Sequence, residues 1–395
     1  MANTTKVHDL IMKEGHRTLR NNSAFVNQLT ARYDKRYAAY GAKEGSDIRI
    51  MVPQEVSVRS GKTISVQDSV EKNVTISRSV QRGVDIKYSS AELTHDVDSF
   101  METKIGPAMA TLAAYIDNYC MNLAYKEIYQ GVTLPVTALD RLDVLRAGVK
   151  LDNGSAPRDG QRNVILTPQG HMDVVNDSSG LFNTAKNVSQ QYEDGIVKVP
   201  SFGFNFAMSQ NIPSHTTGSY DANYVTNGAG VEAATTLVVG TGTGTGKEGD
   251  IFTIASVNQV NALTKVSTGV LQQFRLTADY AGGGGTMSID PPLISTGPYQ
   301  NIDSLPQTAK AITFLGTAST AYPQNLAFHR GFGAIGFVDL EIPEDVKGKR
   351  VVEDGISLRL IDFYDGMNDD KYFRFDVLFG YKTVIPRWAA RIYGL

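Results

Sequence analysis

The chain has 395 residues, 42% hydrophobic and 20% charged, which places it among folded soluble chains with enough material for more than one core and excludes global disorder. A formal charge of -3 excludes a whole-molecule field that would draw it onto nucleic acid or an anionic membrane. One cysteine, Cys120, excludes an intrachain disulfide and a cysteine-rich metal site and agrees with assembly in a reducing compartment; the start of the sequence has no secretory pattern, and no long apolar run suggests a membrane span.

Residues 1–45 carry eight Lys or Arg against four acids, a local basic excess that reads as a solvated helix face because no aromatic pattern for stacking bases accompanies it. Within this stretch Phe25, Val26, Leu29, Tyr33, Tyr37 and Tyr40 recur every three or four residues behind Asn22 or Ser23, predicting an amphipathic helix over 22–40 that ends at Gly41. From Asp47 the period changes to two. Ile48, Ile50, Val52, Val56 and Val58 lead to Ser60-Gly61-Lys62, and Ile64 and Val66 lead back, so a long hairpin is expected, with further strands at Val74–Ile76 and Val84–Tyr88. Ile48 to Val58 would reach about 35 Å if fully extended. An arm of that length with charged flanks has too little apolar surface to stand alone, so the pattern leaves two readings open: an arm that lies on a neighbouring subunit, or a strand pair in a local sheet with a charged solvent face.

A helix is expected from Ala108 to about Tyr129, opened by Pro107 and closed by Gly131. Residues 132–222 read as mixed α and β: Thr137 can cap a helix carrying Leu139, Leu142 and Leu145, Asn153-Gly154 is a turn, Val164–Leu166 a strand, and Thr167-Pro168 opens a helix toward Val175. Between 216 and 320 only 11 residues are charged, and short strand-like segments (Thr235–Val239, Ile251–Ile254, Gln273–Thr277, Thr286–Ile289, Ile312–Leu315) alternate with Gly- and Thr-rich turns. That spacing predicts a small β barrel or sandwich inserted into the chain. Beyond it, Ser357–Tyr364 and Lys371–Tyr381 predict a second long hairpin with Phe373, Phe375, Val377, Phe379 and Tyr381 on one face.

Motifs that carry chemistry are missing or fail. The run Gly240–Gly249 (GTGTGTGKEG) places Thr241 where a phosphate-binding loop needs Gly and Glu248 where it needs the hydroxyl that holds Mg²⁺, so a flexible loop between strands is expected there. The six histidines (His8, His16, His95, His171, His215, His329) are scattered without metal-pair spacing, and the acids at Asp362–Asp365 and Asp369–Asp370 read as turn residues. No catalytic, cofactor-binding or metal-binding residues are nominated and no cofactor is expected.

The order of parts, with the stretches FVNQLTARYDKRYA, MVPQEVSVRSG, KIGPAMATLAAYIDNY, RNVILTPQGHMDVV, FGFNFAMSQNIPSHTTG and KEGDIFTIASV, resembles the HK-ninety-seven fold of tailed-phage shells, in the coat-protein branch typified by phage P-twenty-two. The resemblance implies an α+β capsid fold with 1–45 as N-arm, 46–90 as extended loop, 91–131 as peripheral domain with spine helix, 132–222 as axial domain, 223–320 as an inserted all-β barrel domain, and 321–395 as the return of the axial and peripheral domains with the closing long hairpin. It implies a major capsid protein that self-assembles, without catalysis, into an icosahedral shell enclosing the genome. The expected partners are other copies of the chain in pentamers and hexamers, a separate scaffolding protein engaged through the N-arm, a portal protein, and packaged double-stranded DNA contacted non-specifically on the inside, with no membrane. The place is the virion, with assembly in the host cytoplasm. The guest is shorter before KEGDIF than the family pattern, and the helical segment that serves as built-in scaffold elsewhere has no counterpart ahead of the arm. The candidate subunit-interface residues are Arg59, Lys62, Asp68, Glu71, Lys72 and Arg78. The competing reading is an extracellular or virion-surface β-rich binding or decoration protein.

Overall fold

The computed structural model describes residues 2–33, 47–56, 58, 61–64, 66, 72–77, 80–89, 101–132, 138–178, 200–221, 223–343, 346–367 and 370–393. Helices and strands form two compact units: 1–50, 73–121 and 333–384 in one, and 51–72, 122–332 and 385–395 in the other. Both are assembled from discontinuous stretches, and helices combined with mainly antiparallel sheets make the fold α+β.

The first unit is organised by β19 (Asp370–Thr383), a strand paired along both edges. Its partners are β4 (Val80–Ser89), β18 (Ile356–Asp365) and β16 (Gly333–Val338); β17 (Lys347–Glu353) extends the sheet beyond β18, and β1 (Thr30–Tyr33) lies parallel to β16. Phe373, Phe375, Val377, Phe379 and Tyr381 of β19 are all buried, as the period of two predicts. β18 and β19 pair from Arg359↔Asp376 to Asp365↔Asp370, the long hairpin expected from the sequence.

The N-terminal helix lies where the sequence periodicity did not put it. α1 (Ala2–Asn22) precedes Asn22, and the predicted helix over 22–40 is replaced by a short 3₁₀ turn (Val26–Gln28) and β1, with 34–46 outside the described residues. The cause is a distant carboxylate. Asp117 of α2 (Gly106–Glu127) accepts hydrogen bonds from the backbone N–H of Ala24 (2.6 Å), Phe25 (3.1 Å) and Val26 (3.1 Å), which turns the chain and drives Phe25, Val26 and Leu29 inward. The basic excess of the segment is partly met inside the chain: Arg17 pairs with Glu14, and Arg20 with Asp354 at the end of β17.

The two-stranded ladder of β2 (Asp47–Met51) and β3 (Asn73–Ser77) roots the first long hairpin. The Val52 N–H bonds the Lys72 carbonyl at 2.9 Å, so the two arms are centred on residue 62, where the sequence puts the turn. Their partner choice differs from expectation: the return arm pairs near 73–77, and Ile64 and Val66 are not in a strand.

In the second unit a mixed sheet takes the order β5 (Gly131–Val132), β20 (Ala389–Tyr393), β15 (Ala321–His329), β6 (Arg162–Leu166), β7 (Asn205–Met208), with β8 (Ser214–Thr216) also on β15. Packed with it are α3 (Arg141–Asn153) and α4 (Pro168–Ser178). The cap of α3 is Asp140, which forms a capping box with Asp143; Thr137 lies outside the described residues. This start turns Val144, Ala147 and Leu151 inward and leaves Leu142 and Leu145 exposed, whereas the sequence suggested a leucine face. Leu139 is buried ahead of the helix.

The remaining strands, β9 (Val225–Thr226), β10 (Ala234–Thr241), β11 (Ile251–Val260), β12 (Ser267–Leu276), β13 (Gly285–Leu293) and β14 (Ile312–Phe314), form one sheet in the order β14-β11-β12-β13-β10-β9. A bridge between Val225 and Ala311 joins its two ends, so the sheet closes into a small barrel. Alternate residues fill it: Leu237 and Val239, Phe252 and Ile254, Phe274 and Leu276, Met287 and Ile289, Ile312 and Phe314, together with Tyr220 and Tyr224 from the entering chain. Polar staples tie the barrel to the mixed sheet. The Gln273 amide takes the Gly131 N–H (3.0 Å) and donates to the Gly131 carbonyl (2.9 Å), and Asp250 accepts from the Gly218 and Lys247 amides while sharing a hydrogen bond with His215.

The Gly- and Thr-rich run is the expected connection between strands, β10 and β11, but its backbone is held by hydrogen bonds. Gly242 adopts φ +145° against the Tyr224 ring, and Gly244 adopts φ +83° with the Ser219 carbonyl 1.9 Å from where a Cβ would stand. The run is sandwiched between 218–224 and 280–283 by backbone hydrogen bonds from Asp221 to Thr243, Gly283 to Gly242 and Gly246 to Tyr280. Its glycines serve close backbone packing.

Replacing Gly244 by Ala should therefore lower barrel stability by at least about 2 kcal/mol, read as the melting temperature of the full chain. Lys247→Ala, on the exposed end of the same run, should change it by less than about 0.5 kcal/mol. Asp117→Ala strands three amides and should cost about 3 kcal/mol. Burial is the larger influence on the Asp117 carboxyl and holds its pKa up to about 6 against the opposing pull of those amides. A folded pKa above the unfolded one means proton uptake on folding. The stability advantage of the native chain over Asp117→Ala should thus widen as pH falls from 7 toward 4.5, and a gap that narrows would show that the amide donors outweigh burial.

Candidate subunit-interface surfaces

The extended loop follows β2. Its anchor is Glu55, whose carboxylate is held between two cations: Lys265 Nζ at 3.1 Å, from the connection between β11 and β12, and the Arg387 guanidinium, just ahead of β20. All three side chains are largely shielded from solvent, so their attraction is screened less than that of an ordinary surface pair. On the return arm the Lys72 ammonium sits 3.4 Å from the centre of the Tyr299 ring. Burial there lowers the Lys72 pKa; Glu55 opposes that shift and Arg387 adds to it.

Beyond this root the loop carries aliphatic side chains in water. Val56 is 64% exposed, Val58 94%, Ile64 79% and Val66 85%. A single exposed aliphatic residue is ordinary, whereas four in eleven positions of one hairpin form a surface that the subunit itself leaves unburied. A second set of exposed apolar side chains, Phe363, Tyr364 and Met367, marks the turn of the hairpin between β18 and β19.

Of the six charged residues nominated from the sequence, Lys62 stands in solvent at the loop turn and Lys72 lies over Tyr299, while Arg59, Asp68, Glu71 and Arg78 lie outside the described residues. The structure does not bring Lys62 and Lys72 together. Sequence reasoning missed Glu55, Lys265 and Arg387, which are far apart in the chain and belong to no motif. It registered the loop aliphatics only as a strand pattern.

No group of three or more His, Cys, Asp or Glu able to hold a metal occurs among the described residues. No helix among them is long and apolar enough to cross a membrane. The buried pair of His215 and Asp250 (2.8 Å) is enclosed by backbone donors and acts as a staple. Arg391, fully buried, donates to the Gly249 carbonyl (2.6 Å) and the Gln324 amide oxygen (3.3 Å).

Comparison with known proteins gives three kinds of relative. A major capsid protein of Acyrthosiphon pisum secondary endosymbiont phage 1 is 21% identical over 258 residues, 60% of this chain, and the match spans 61% of that relative's length. Among solved structures, the capsid of cyanophage P-SCSP1u is 12% identical with a TM-score of 0.46, covering 94% of this chain and 88% of that one. The CUS-3 coat protein I-domain is 27% identical with a TM-score of 0.20, covering 27% of this chain and all of the domain. The family described as P22 coat protein, gene protein 5, matches residues 1–391, and this chain therefore belongs to the P22 coat protein family.

Proposed function

We propose that the chain is the major capsid subunit of a tailed phage, assembling with copies of itself in pentamers and hexamers into an icosahedral shell around the genome, with no catalysis of its own. Beside family membership, the observation that carries this reading is the loop of 51–72: Val56, Val58, Ile64 and Val66 are exposed on a hairpin whose root is fixed by Glu55. An apolar arm whose root is fixed within the subunit is what an overlapping shell subunit needs, because part of the ordering that docking requires is already in place. The charged residues Arg59, Lys62, Asp68, Glu71, Lys72 and Arg78 would then set the register of the overlap, since exposed pairs contribute little affinity but penalise wrong pairings.

The remaining partners follow from the same reading. A separate scaffolding protein would engage the N-terminal segment, where Lys13 and Arg17 are exposed on α1; a portal protein would occupy one vertex; and packaged double-stranded DNA would meet the inner surface without sequence preference. The protein would be assembled in the host cytoplasm and reside in the virion.

The test is particle formation. The full chain should yield fast-sedimenting, shell-like particles by electron microscopy when expressed with the scaffold of its phage. Val58→Ser combined with Ile64→Ser should leave the melting temperature of the subunit unchanged while weakening each pairwise contact by about 3 kcal/mol, roughly 100-fold. Particle yield should fall at least tenfold. A stable monomer under all these conditions would overturn the reading.

A further inference from the structure

β11 and β12 pair as far as Val260 and Ser267 and are joined there by a short hairpin connection. The register of the two strands shifts between Thr253 and Asn258, where Ser256 takes φ +67°, and Asp303 binds the Asn258 N–H (2.9 Å) and side-chain amide (2.8 Å). Such a bulge re-aims the end of a strand pair. At the tip Asn261 accepts from the N–H of Leu263 (2.8 Å) and Thr264 (3.1 Å), and its backbone bonds Val266 and Lys265, so the turn is tightly ordered. That ordered tip exposes Leu263 (71%) and Val266 (64%), and Val270 and Leu271 on β12 are exposed behind it.

Its single charged residue, by contrast, is largely shielded from solvent. Lys265 is the partner of Glu55, so the tip is fastened to the root of the extended loop. Val56 and Val266 each adjoin a member of that ion pair in sequence and both stand in solvent. The ion pair thereby joins two apolar surfaces that the sequence separates by some two hundred residues.

We infer that the β11–β12 hairpin and the extended loop form one composite docking surface, with Leu263 and Val266 continuing the contact of Val56 and Val58 onto the same second copy of this chain. The occupant is a second copy because the hairpin is continuous, through Lys265 and Glu55, with the loop surface assigned above to a neighbouring subunit; the inference rests on that assignment. The hairpin thus adds contact area and buttresses the loop, giving the inserted barrel a direct part in subunit overlap. Preorganisation of the tip favours it, since little ordering entropy remains to be lost on docking.

The experiment reads occlusion in the full chain. A Leu263→Cys variant introduces one accessible thiol, because native Cys120 is fully buried. Maleimide labelling at this position should be at least tenfold slower in assembled particles than in dissociated subunits, and equal rates would overturn the inference. In parallel, Leu263→Ser with Val266→Ser should keep the subunit melting temperature and lower particle yield at least tenfold; normal yield would count against the surface even if the thiol were shielded. A folded Leu263→Cys subunit that failed to assemble beside a competent native chain would support it. Should the native chain itself form no particles, the shell reading falls, and this inference with it.

Discussion

Apolar surface left uncovered is the constraint on which this architecture turns. Most of the chain behaves as any folded protein does, with β19 burying five residues of one face and the barrel filling its interior from alternate positions of each strand. The loop of 51–72 and the tip at 261–266 do the opposite: Val56, Val58, Ile64 and Val66 of the one and Leu263 and Val266 of the other stand in water. Leaving them there costs roughly 25 cal/mol for each Å² of apolar surface, and only burial against another molecule recovers it. In the proposed shell that cost would be functional, because it would leave the subunit incomplete until it met its copies.

A subunit built this way has to keep its own fold independent of those surfaces. Here the task falls to polar groups buried at joints. Asp117 turns the N-terminal segment through three amides, the Gln273 amide pairs with Gly131 as a strand would, and Asp250 gathers His215, Gly218 and Lys247. Each satisfies backbone groups that would otherwise be buried without partners, and each requires one geometry. Discontinuous stretches of chain are thereby fixed by directional contacts, and the apolar patches can remain free for association.

These joints also explain what was legible in the sequence. The barrel strands, β18, β19 and α2 could be read because their signal is local: a period of two or a capped apolar stripe states which face is buried. The segment after Asn22 was misread because its periodicity is real but a carboxylate about ninety residues away determines the backbone there. The Gly- and Thr-rich run looks flexible by composition, yet its glycines exist so that Tyr224 and the Ser219 carbonyl can approach. On α3 the cap falls at Asp140, three residues beyond the expected Thr137, and Val144, Ala147 and Leu151 rather than Leu142 and Leu145 line the dry side. The surfaces themselves were half legible: the loop's length and charge pointed outward, but the cluster of Glu55, Lys265 and Arg387 joins three distant stretches and leaves no local trace.

That cluster also bears on how a shell can be both correctable and durable. Exposed charged pairs between subunits would add little to each contact and weaken with salt, which permits misplaced subunits to leave. Apolar contacts are not screened, and their effect multiplies when each subunit touches several neighbours at once. In the proposed shell, holding the loop root within the subunit, where Glu55 is shielded between its two cations, would separate these roles: the root is fixed by contacts that do not compete with a neighbour. Each intersubunit contact can then be weak enough to reverse singly, while the closed shell, in which no subunit leaves without breaking several, is not.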